Sequence, residues 1–217
     1  MSERSGHFIV FEGGDSVGKS TQVRWLTASL EQAGVAHFIT FEPGATWLGG
    51  HLRKLVLDPE SGDICPHAEA LLYLADKAQH VAELILPALA EGKVVVSDRY
   101  VDSVIAYQGS GRELDPQRVD EVARWATGGL RPDLTVLLDA DPDDAVATLA
   151  DKDRLEGAGI ELHRRARQAF LRIAAADPER YLIINARLPR ETIAAEVRDR
   201  LATLGLKLSP PSAMLSL

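Results

Sequence analysis

A glycine-rich segment followed by a lysine and a serine lies near the start of the sequence. Its spacing, G-x-x-x-x-G-K-[ST], begins at Gly13 and ends with Lys19 and Ser20. Glycines let successive backbone N–H groups converge on a phosphate without Cβ clashes. Lys19 is expected to bridge the β- and γ-phosphates of a nucleoside triphosphate, and the Ser20 hydroxyl to ligate Mg²⁺. The predicted nucleotide-binding residues are Gly13, Gly14, Asp15, Ser16, Val17, Gly18, Lys19 and Ser20.

The residues on either side favour a phosphate-binding loop over a plain glycine-rich turn. The apolar segment 7–12 precedes the motif and the helix-like segment 19–33 follows it. This is the strand–loop–helix order that the motif requires. The loop alone indicates triphosphate binding and leaves a motor or partitioning ATPase open. A GTPase is not favoured, because the sequence contains no Asn-Lys-x-Asp signature.

A second polar pair follows the apolar segment 93–98. Asp98 falls at the carboxyl end of that predicted strand, and Arg99 comes directly after it. A carboxylate in this position can hold Mg²⁺ through water, and an arginine can clamp phosphate oxygens with two hydrogen bonds. The alternative, a helix-capping aspartate beside a surface arginine, stays open at this point.

These polar residues must be positioned by strands and helices that alternate along the chain. Apolar segments rich in Val, Ile and Phe lie at 7–12, 35–41, 93–98, 134–139 and 181–186. Asp115-Pro116 and Asp141-Pro142 each place a capping aspartate before a proline, which is typical of a helix start. The pattern predicts an α/β fold, a doubly wound parallel five-stranded sheet with helices on both faces. Helix-like segments lie at 19–33, 46–57, 66–90, 99–109, 115–128, 142–150, 159–176 and 189–203.

The composition is that of a globular protein. The 217 residues carry a formal net charge of -8, which argues against a sequence-independent nucleic-acid binder. Cys65 is the only cysteine, so an internal disulfide and a cysteine cluster for metal are both excluded. No apolar run approaches the roughly 20 residues of a membrane helix. We expect one cytoplasmic domain over residues 1–217, with no membrane or nucleic-acid partner and a loose tail at 207–217.

Several longer segments resemble bacterial thymidylate kinases. They are FEGGDSVGKSTQ (11–22), FEPGAT (41–46), LLYLADKAQHV (71–81), SDRYVDSVIAYQGSGR (97–112), GGLRPDLTVLLD (128–139), DRLE (153–156) and HRRARQAFL (163–171). The resemblance implies a nucleoside monophosphate kinase of the phosphate-loop type. Such an enzyme transfers the ATP γ-phosphoryl group to dTMP, giving dTDP and ADP in dTTP biosynthesis. The resemblance also implies Mg²⁺ as a cofactor, a homodimer, and a cis peptide bond between Glu42 and Pro43.

The resemblance implies a dTMP site. Asp15 would face the deoxyribose 3′-hydroxyl, and Tyr107 would lie beside the sugar. Tyr73 would stack on thymine, and Lys77, which takes the place of the family's arginine, would donate to a thymine carbonyl. Tyr73 as plain core, and Arg53 as a solvated arginine on an amphipathic helix, stay open as alternatives. The implied substrate-binding residues are Asp15, Glu42, Arg53, Tyr73, Lys77, Arg99, Tyr107 and Gln108.

Residues 151–160 resemble the lid of the family. The segment is charged and contains glycine between two predicted helices, which is typical of a lid. Arg154 is the candidate for the cation that meets charge developing on the transferred phosphoryl group. A salt bridge from Arg154 to Glu156 or Asp151 is the alternative. The predicted catalytic residues are Asp15, Lys19, Arg99 and Arg154, and the predicted metal ligands are Ser20 and Asp98.

Two other functions stay open. A nucleoside kinase of the same fold would take an uncharged acceptor and would not need Arg53. A non-catalytic switch would bind ATP and report its presence to a partner, without release of ADP that depends on an acceptor.

Overall fold

The fold is built on one parallel sheet. The computed structural model describes residues 6–143 and 159–211. The sheet has five strands in the order β2-β3-β1-β4-β5, and every neighbouring pair is parallel. The predicted doubly wound five-stranded sheet is confirmed. The strands are β1 (Phe8–Gly13), β2 (His37–Phe41), β3 (Val94–Asp98), β4 (Leu134–Asp139) and β5 (Tyr181–Asn185).

Eight helices accompany the sheet within the described residues. A π-helical segment, Val81–Ile85, joins α3 to α4, and a second one, Ile105–Gly111, follows α5. A short 3₁₀ turn, Pro59–Ser61, follows α2. Beyond Asp143, the helix predicted at 142–150 lies outside the described residues. The helices are α1 (Lys19–Gln32), α2 (Trp47–Leu57), α3 (Pro66–His80), α4 (Leu86–Ala90), α5 (Val101–Val104), α6 (Pro116–Ala126), α7 (Ile160–Ala176) and α8 (Arg190–Ala202).

The central strand β1 is buried on both faces. Ile9 and Phe11 pack into a cluster with residues of α1 and α8, on one side of the sheet. Phe8 and Val10 pack into a second cluster with residues of α4 and of the π-helical segment before it. A strand covered on both faces needs apolar residues at successive positions, which explains the continuous apolar run in the sequence.

The strand register brings the carboxyl ends of the central strands to one edge. Phe11 of β1 is level with Asp98 of β3, and Gly13 of β1 is level with Leu138 of β4. In open α/β sheets, ligands bind outside the carboxyl ends of the strands, where the strand order reverses. The loop after β1 and the Asp98-Arg99 pair therefore share the edge at which a ligand site is expected.

The predicted helix caps are present. Asp115 Oδ1 accepts a hydrogen bond from the Gln117 amide at 2.9 Å, and α6 begins at Pro116. Asp141 Oδ1 accepts the Asp143 amide at 3.1 Å. At the other end of the chain, Leu208 packs against the core. From residue 212 onward, the predicted tail at 207–217 lies outside the described residues, so the loose tail stays a prediction.

Candidate active site

The loop between β1 and α1 has the backbone conformations that a phosphate cradle needs. Gly13 and Gly18 have φ angles of +133° and +93°, and Ser16 has a φ of +57°. A Cβ atom at Gly13 would lie 2.4 Å from the Leu138 carbonyl oxygen, so only glycine fits between β1 and β4 there. These positive φ angles favour glycine, which explains the motif's spacing.

Lys19 is folded back over the loop. Its ammonium donates to the carbonyl oxygens of Gly13 at 3.3 Å and Gly14 at 2.5 Å, and the side chain is buried. Burial, followed by the nearby Arg99 charge, lowers the pKa of Lys19 to about 8, although Asp15 opposes this. The Lys19 ammonium is therefore held against the loop, where an anion bound by the loop would contact it.

Ser20 and Asp98 meet at the start of α1. The Ser20 hydroxyl donates to Asp98 Oδ2 at 2.9 Å. Both groups present hard oxygen ligands of the kind that Mg²⁺ prefers. Within residues 6–143 and 159–211, no group of three or more His, Cys, Asp or Glu side chains could hold a metal ion. A cation at this point would therefore need ligands in addition to Ser20 and Asp98, such as water or phosphate oxygens.

Arg99 joins the loop to the neighbouring cavity. Its guanidinium forms an ion pair with Asp15 and donates to the Gly13 carbonyl at 3.0 Å. It also lies over the Tyr107 ring, with 5.6 Å between the guanidinium carbon and the ring centroid. Burial opposes the charge of Asp15, but Arg99 and Lys19 more than offset it, so the pKa of Asp15 is lowered. Asp15 is therefore a carboxylate at neutral pH.

Every predicted substrate-binding residue lines one cavity beside the loop. The cavity has a volume of about 160 Å³ and opens to solvent. Apolar residues and convergent polar groups share its wall, which is the usual composition of a small-molecule site. Its lining comprises Asp15, Glu42, Pro43, Arg53, Leu57, Tyr73, Lys77, Arg99, Ser103, Val104, Tyr107 and Gln108.

A buried charge cluster forms one side of this cavity. Glu42 accepts from Lys77 Nζ at 2.5 Å and lies 2.7 Å from His80 Nδ1. His80 Nε2 lies 2.6 Å from Thr40 Oγ1. Burial disfavours the Glu42 carboxylate, but Lys77 and His80 outweigh it, so the pKa of Glu42 is lowered. The Lys77 ammonium thus neutralises Glu42 while its side chain lines the cavity.

Two further hydrogen bonds fix the cavity wall. Arg53, on α2, donates to the Pro43 carbonyl at 2.8 Å, and the Glu42–Pro43 bond is cis, as predicted. Gln108 Nε2 donates to Glu69 Oε1 at 3.0 Å, and Arg112 also pairs with this buried carboxylate. The amide of Gln108 is thereby held in one orientation.

The chain is similar to thymidylate kinases in both sequence and structure. The thymidylate kinase family model matches residues 11–197. The thymidylate kinase of Cutibacterium acnes is 59% identical over 199 residues, which cover 92% of this chain and 98% of the relative.

The chain belongs to the thymidylate kinase family. The thymidylate kinase of Clavibacter sepedonicus is 51% identical over 200 residues, covering 90% of this chain and 94% of the relative. The crystal structure of a thymidylate kinase from Ehrlichia chaffeensis superposes with a TM-score of 0.75 at 29% identity. The superposition covers 91% of this chain and 98% of that one.

The structure gathers most of the site predicted for a thymidylate kinase. The loop, Asp98 and the acceptor residues lie around one edge of the sheet, whereas Arg154 and residues 151–158 of the predicted lid lie outside the described residues. The thymine contact of Lys77 stays a prediction, since the bond that this structure gives its ammonium is to Glu42.

Sequence reasoning missed several buried polar residues around the candidate site. Glu12, Glu69 and His80 are at most 1% exposed, and each bonds a residue of the site or of its supporting turns. In each of these bonds, the two residues are 38 or more positions apart in the chain, so local spacing gives no signal. An ionisable residue inside an apolar segment, as Glu12 is in β1, is the one hint that the sequence contains.

Proposed function

We propose that this chain transfers the γ-phosphoryl group of ATP to dTMP, yielding dTDP and ADP for dTTP biosynthesis. The observation that carries the proposal is that the phosphate loop and the acceptor cavity meet at the Asp15–Arg99 ion pair. A donor on the loop and a monophosphate in the cavity would face each other across one arginine. Membership of the thymidylate kinase family supports the same assignment.

The loop supports ATP as the phosphoryl donor. Lys19 would exchange its bonds to the Gly13 and Gly14 carbonyls for bonds to the β- and γ-phosphates. Because Lys19 is buried, solvent would screen its attraction to phosphate less than at an exposed site. Phosphate would also favour the charged form of this lysine.

Ser20 and Asp98 fit a magnesium ion. We propose that the Ser20 hydroxyl is a direct ligand and that Asp98 acts through water, because Mg²⁺ usually keeps several water and phosphate ligands. When bound, the ion would neutralise charge on the phosphate oxygens. The 2.9 Å hydrogen bond between Ser20 and Asp98 keeps the two oxygen groups adjacent before a ligand arrives.

The cavity supports dTMP as the acceptor. Arg53 and Arg99 would hold its phosphate, and Tyr107 would lie against the sugar. Tyr73 would stack on thymine, since an aromatic wall suits a flat base. Asp15 would accept a hydrogen bond from the 3′-hydroxyl, because it is ionised and acts as an acceptor.

Two polar groups would face the edge of the base, the Gln108 amide and the Lys77 ammonium. Gln108 presents an amide whose Nε2 is fixed on Glu69. Lys77 has three N–H donors, one of which is on Glu42, and another would serve a thymine carbonyl. Lysine gives a single-point contact without the planar fork of arginine, so base discrimination is expected to be looser than with arginine.

Phosphoryl transfer requires two polyanions in line, neutralised charge and little water. Arg99, fixed by Asp15 and Gly13, would neutralise charge where the two phosphates meet. We propose that Arg154 adds a second cation from the lid, at 151–160. We also propose that one domain spans residues 1–217 and that the enzyme acts in the cytoplasm as a homodimer.

A coupled assay of ADP release with dTMP, with thymidine and without acceptor tests the function. We expect ADP release with dTMP alone. Release with thymidine would indicate a nucleoside kinase, and ATP binding without acceptor-dependent release would indicate a switch.

The loop assignment has its own variant in the same assay. Lys19→Ala should lower the rate by about 10²–10³-fold or more, because the lysine charge acts on the transferring phosphates. Arg24→Ala, an exposed arginine on the same helix, is the matched control and should leave the rate near wild type. A folded Lys19→Ala variant with a tenth of wild-type activity would contradict the assignment.

A further inference from the structure

Glu12 is a buried carboxylate that the proposed reaction does not use. It lies in β1, immediately before the phosphate loop, and has no exposed surface. Its Oε1 accepts from the backbone amides of Tyr100 at 2.8 Å and Ser103 at 3.2 Å. Its Oε2 accepts from the Ser103 hydroxyl at 2.6 Å. Glu12 therefore ties β1 to Tyr100, in the turn that follows β3, and to Ser103 on α5.

That turn carries Arg99 in an unfavourable backbone conformation. Arg99 has a φ of +71°, in the left-handed region that residues other than glycine seldom adopt. Its amide donates to the Phe11 carbonyl at 2.9 Å, and its carbonyl accepts from the Ser97 hydroxyl at 2.7 Å. Such a conformation persists only where surrounding contacts hold it. The next residue in the chain, Tyr100, is held by Glu12 through its amide.

Glu12 also reaches the Arg99 side chain through Ser103. The Arg99 guanidinium donates to Ser103 Oγ at 3.0 Å, and the same hydroxyl donates to Glu12. A hydroxyl that already donates to a carboxylate is a better acceptor, since bonds in a chain polarise one another. The carboxylate thus orients Ser103 with its lone pairs toward Arg99.

We infer that Glu12 is a positioning residue that holds Arg99 ready for the acceptor phosphate, through the turn backbone and the Ser103 hydroxyl. The inference rests on the proposed role of Arg99 in binding dTMP. Glu12 itself touches neither phosphate.

The charges around Glu12 make its effect sensitive to pH. Burial, followed by the Asp102 carboxylate, raises the pKa of Glu12 to about 7, although Arg99 opposes this. Lys19 faces Glu12 from α1, and the Tyr107 and Tyr181 hydroxyls also feel its charge. Protonation would weaken its acceptor oxygens, so Arg99 should be held less firmly on the acid side of neutrality.

A double-mutant cycle with Glu12→Gln and Ser103→Ala tests the inference. In Glu12→Gln, an amide donor faces Ser103, whose hydroxyl proton must then turn toward Arg99. Each single variant should raise the KM for dTMP about tenfold, with the KM for ATP within twofold of wild type. Because both changes break the same chain of hydrogen bonds, the KM for dTMP of the double variant should rise about tenfold and not about 100-fold.

Asp102→Asn is the matched control. Asp102 is next to Ser103 on α5, but its carboxylate accepts from the Tyr181 hydroxyl at 2.6 Å and bonds neither Arg99 nor Ser103. Its KM for dTMP at pH 8 should stay within twofold of wild type. Removing its charge should move the acid limb of the dTMP affinity to lower pH, and Glu12→Gln should leave only the part of that limb that the titration of the dTMP phosphate itself produces.

The outcomes separate the inference from the proposed function. Absence of dTMP-dependent ADP release in the wild type would refute the function. With that activity present, additive losses, equal losses for ATP and dTMP, or an unchanged KM in Glu12→Gln would overturn the role of Glu12. If the Gln variant does not fold, the Asp102→Asn pH profile decides, and an acid limb that does not move would overturn the role.

Discussion

Lys19 lies on the proposed phosphate-binding loop, and its pKa is lowered to about 8. With its pKa lowered to about 8, Lys19 should be partly neutral in the free protein at pH 8, and phosphate should restore its charge. ATP binding should therefore take up protons through Lys19 at pH 8, and fewer through this residue at pH 6.5, where Lys19 is already charged. Calorimetry in buffers of different ionisation heat measures this uptake. Lys19→Arg should abolish it, and uptake that persists in this variant would assign the proton to another group.

Arg53 allows the acceptor phosphate to be tested separately from the donor. Its guanidinium lines the cavity and donates to the Pro43 carbonyl. Arg53→Ala should raise the KM for dTMP by about 10- to 100-fold, because a charge-assisted bond to phosphate contributes about 1.5–3 kcal/mol. The KM for ATP should not change. Lys54→Ala, at the exposed next position on α2, should leave both KM values unchanged, and equal weakening of both substrates by Arg53→Ala would place Arg53 elsewhere.

At the level of single residues, motif spacing predicted the groups that we propose contact phosphate, but not the groups that hold them. Lys19 and Ser20 are fixed by a local loop, so their spacing is visible in the sequence. The partner of Lys77 is Glu42, 35 residues away, and that of Glu12 is Ser103, 91 residues away. Such pairs arise only when the sheet brings its strand ends together, which no local pattern records.

Helix α6 shows how a local signal sets the start of an element. Asp115→Ala removes the side-chain acceptor of the Gln117 amide and should lower the free energy of unfolding by about 1 kcal/mol. Urea denaturation measures the change. Asp115→Asn should retain most of the stability, since an amide oxygen also caps a helix, and the KM for dTMP should be unchanged in both variants. An equal loss of stability in Asn and Ala would mean that the cap bond is not responsible.

Strands and helix starts were predictable from the sequence, while the irregular helical segments were not. The helix-like segment 66–90 is predicted to form one helix, whereas the chain forms α3, a π-helical segment at Val81–Ile85 and α4. The helix predicted from residue 99 begins at Val101, because Arg99 has a positive φ. Both departures depend on tertiary packing and hydrogen bonds, which override the local helical periodicity.

At the scale of the whole molecule, α2, α3 and α6 carry large apolar side chains on their outer surfaces. Trp47 on α2 is 78% exposed and Trp125 on α6 is 83% exposed, and α3 packs against both helices. Exposed aromatic side chains on adjacent helices favour a protein interface. The proposed homodimer would cover this surface. The apolar residues concerned are Trp47, Leu48, Leu55, Leu71, Val122 and Trp125.

Trp125→Glu should separate the proposed dimer into monomers. A charge in a desolvated interface lacks a partner, whereas in the monomer it lies in water. Sedimentation should show the mass fall from twice the chain mass to 23.6 kDa. Leu188→Glu, a substitution at an exposed leucine after β5, should leave the mass unchanged. A wild-type chain that sediments at 23.6 kDa would exclude the dimer.

Among the helices within residues 6–143 and 159–211, none is both long enough and apolar enough to cross a bilayer.

The cations of the site are bonded to oxygens of the chain itself before any substrate arrives. Lys19 donates to the loop carbonyls, Arg53 to the Pro43 carbonyl, and Arg99 to Asp15 and Gly13. A phosphate that binds here would replace the chain's own oxygens as the acceptor of these N–H donors. It would displace few dissolved anions from the site. Added salt competes mainly with charges that face water. The part of the dTMP affinity that Arg99 supplies, with its side chain 17% exposed, should therefore depend only weakly on potassium chloride concentration, and the part that the exposed Arg53 supplies should depend on it more strongly.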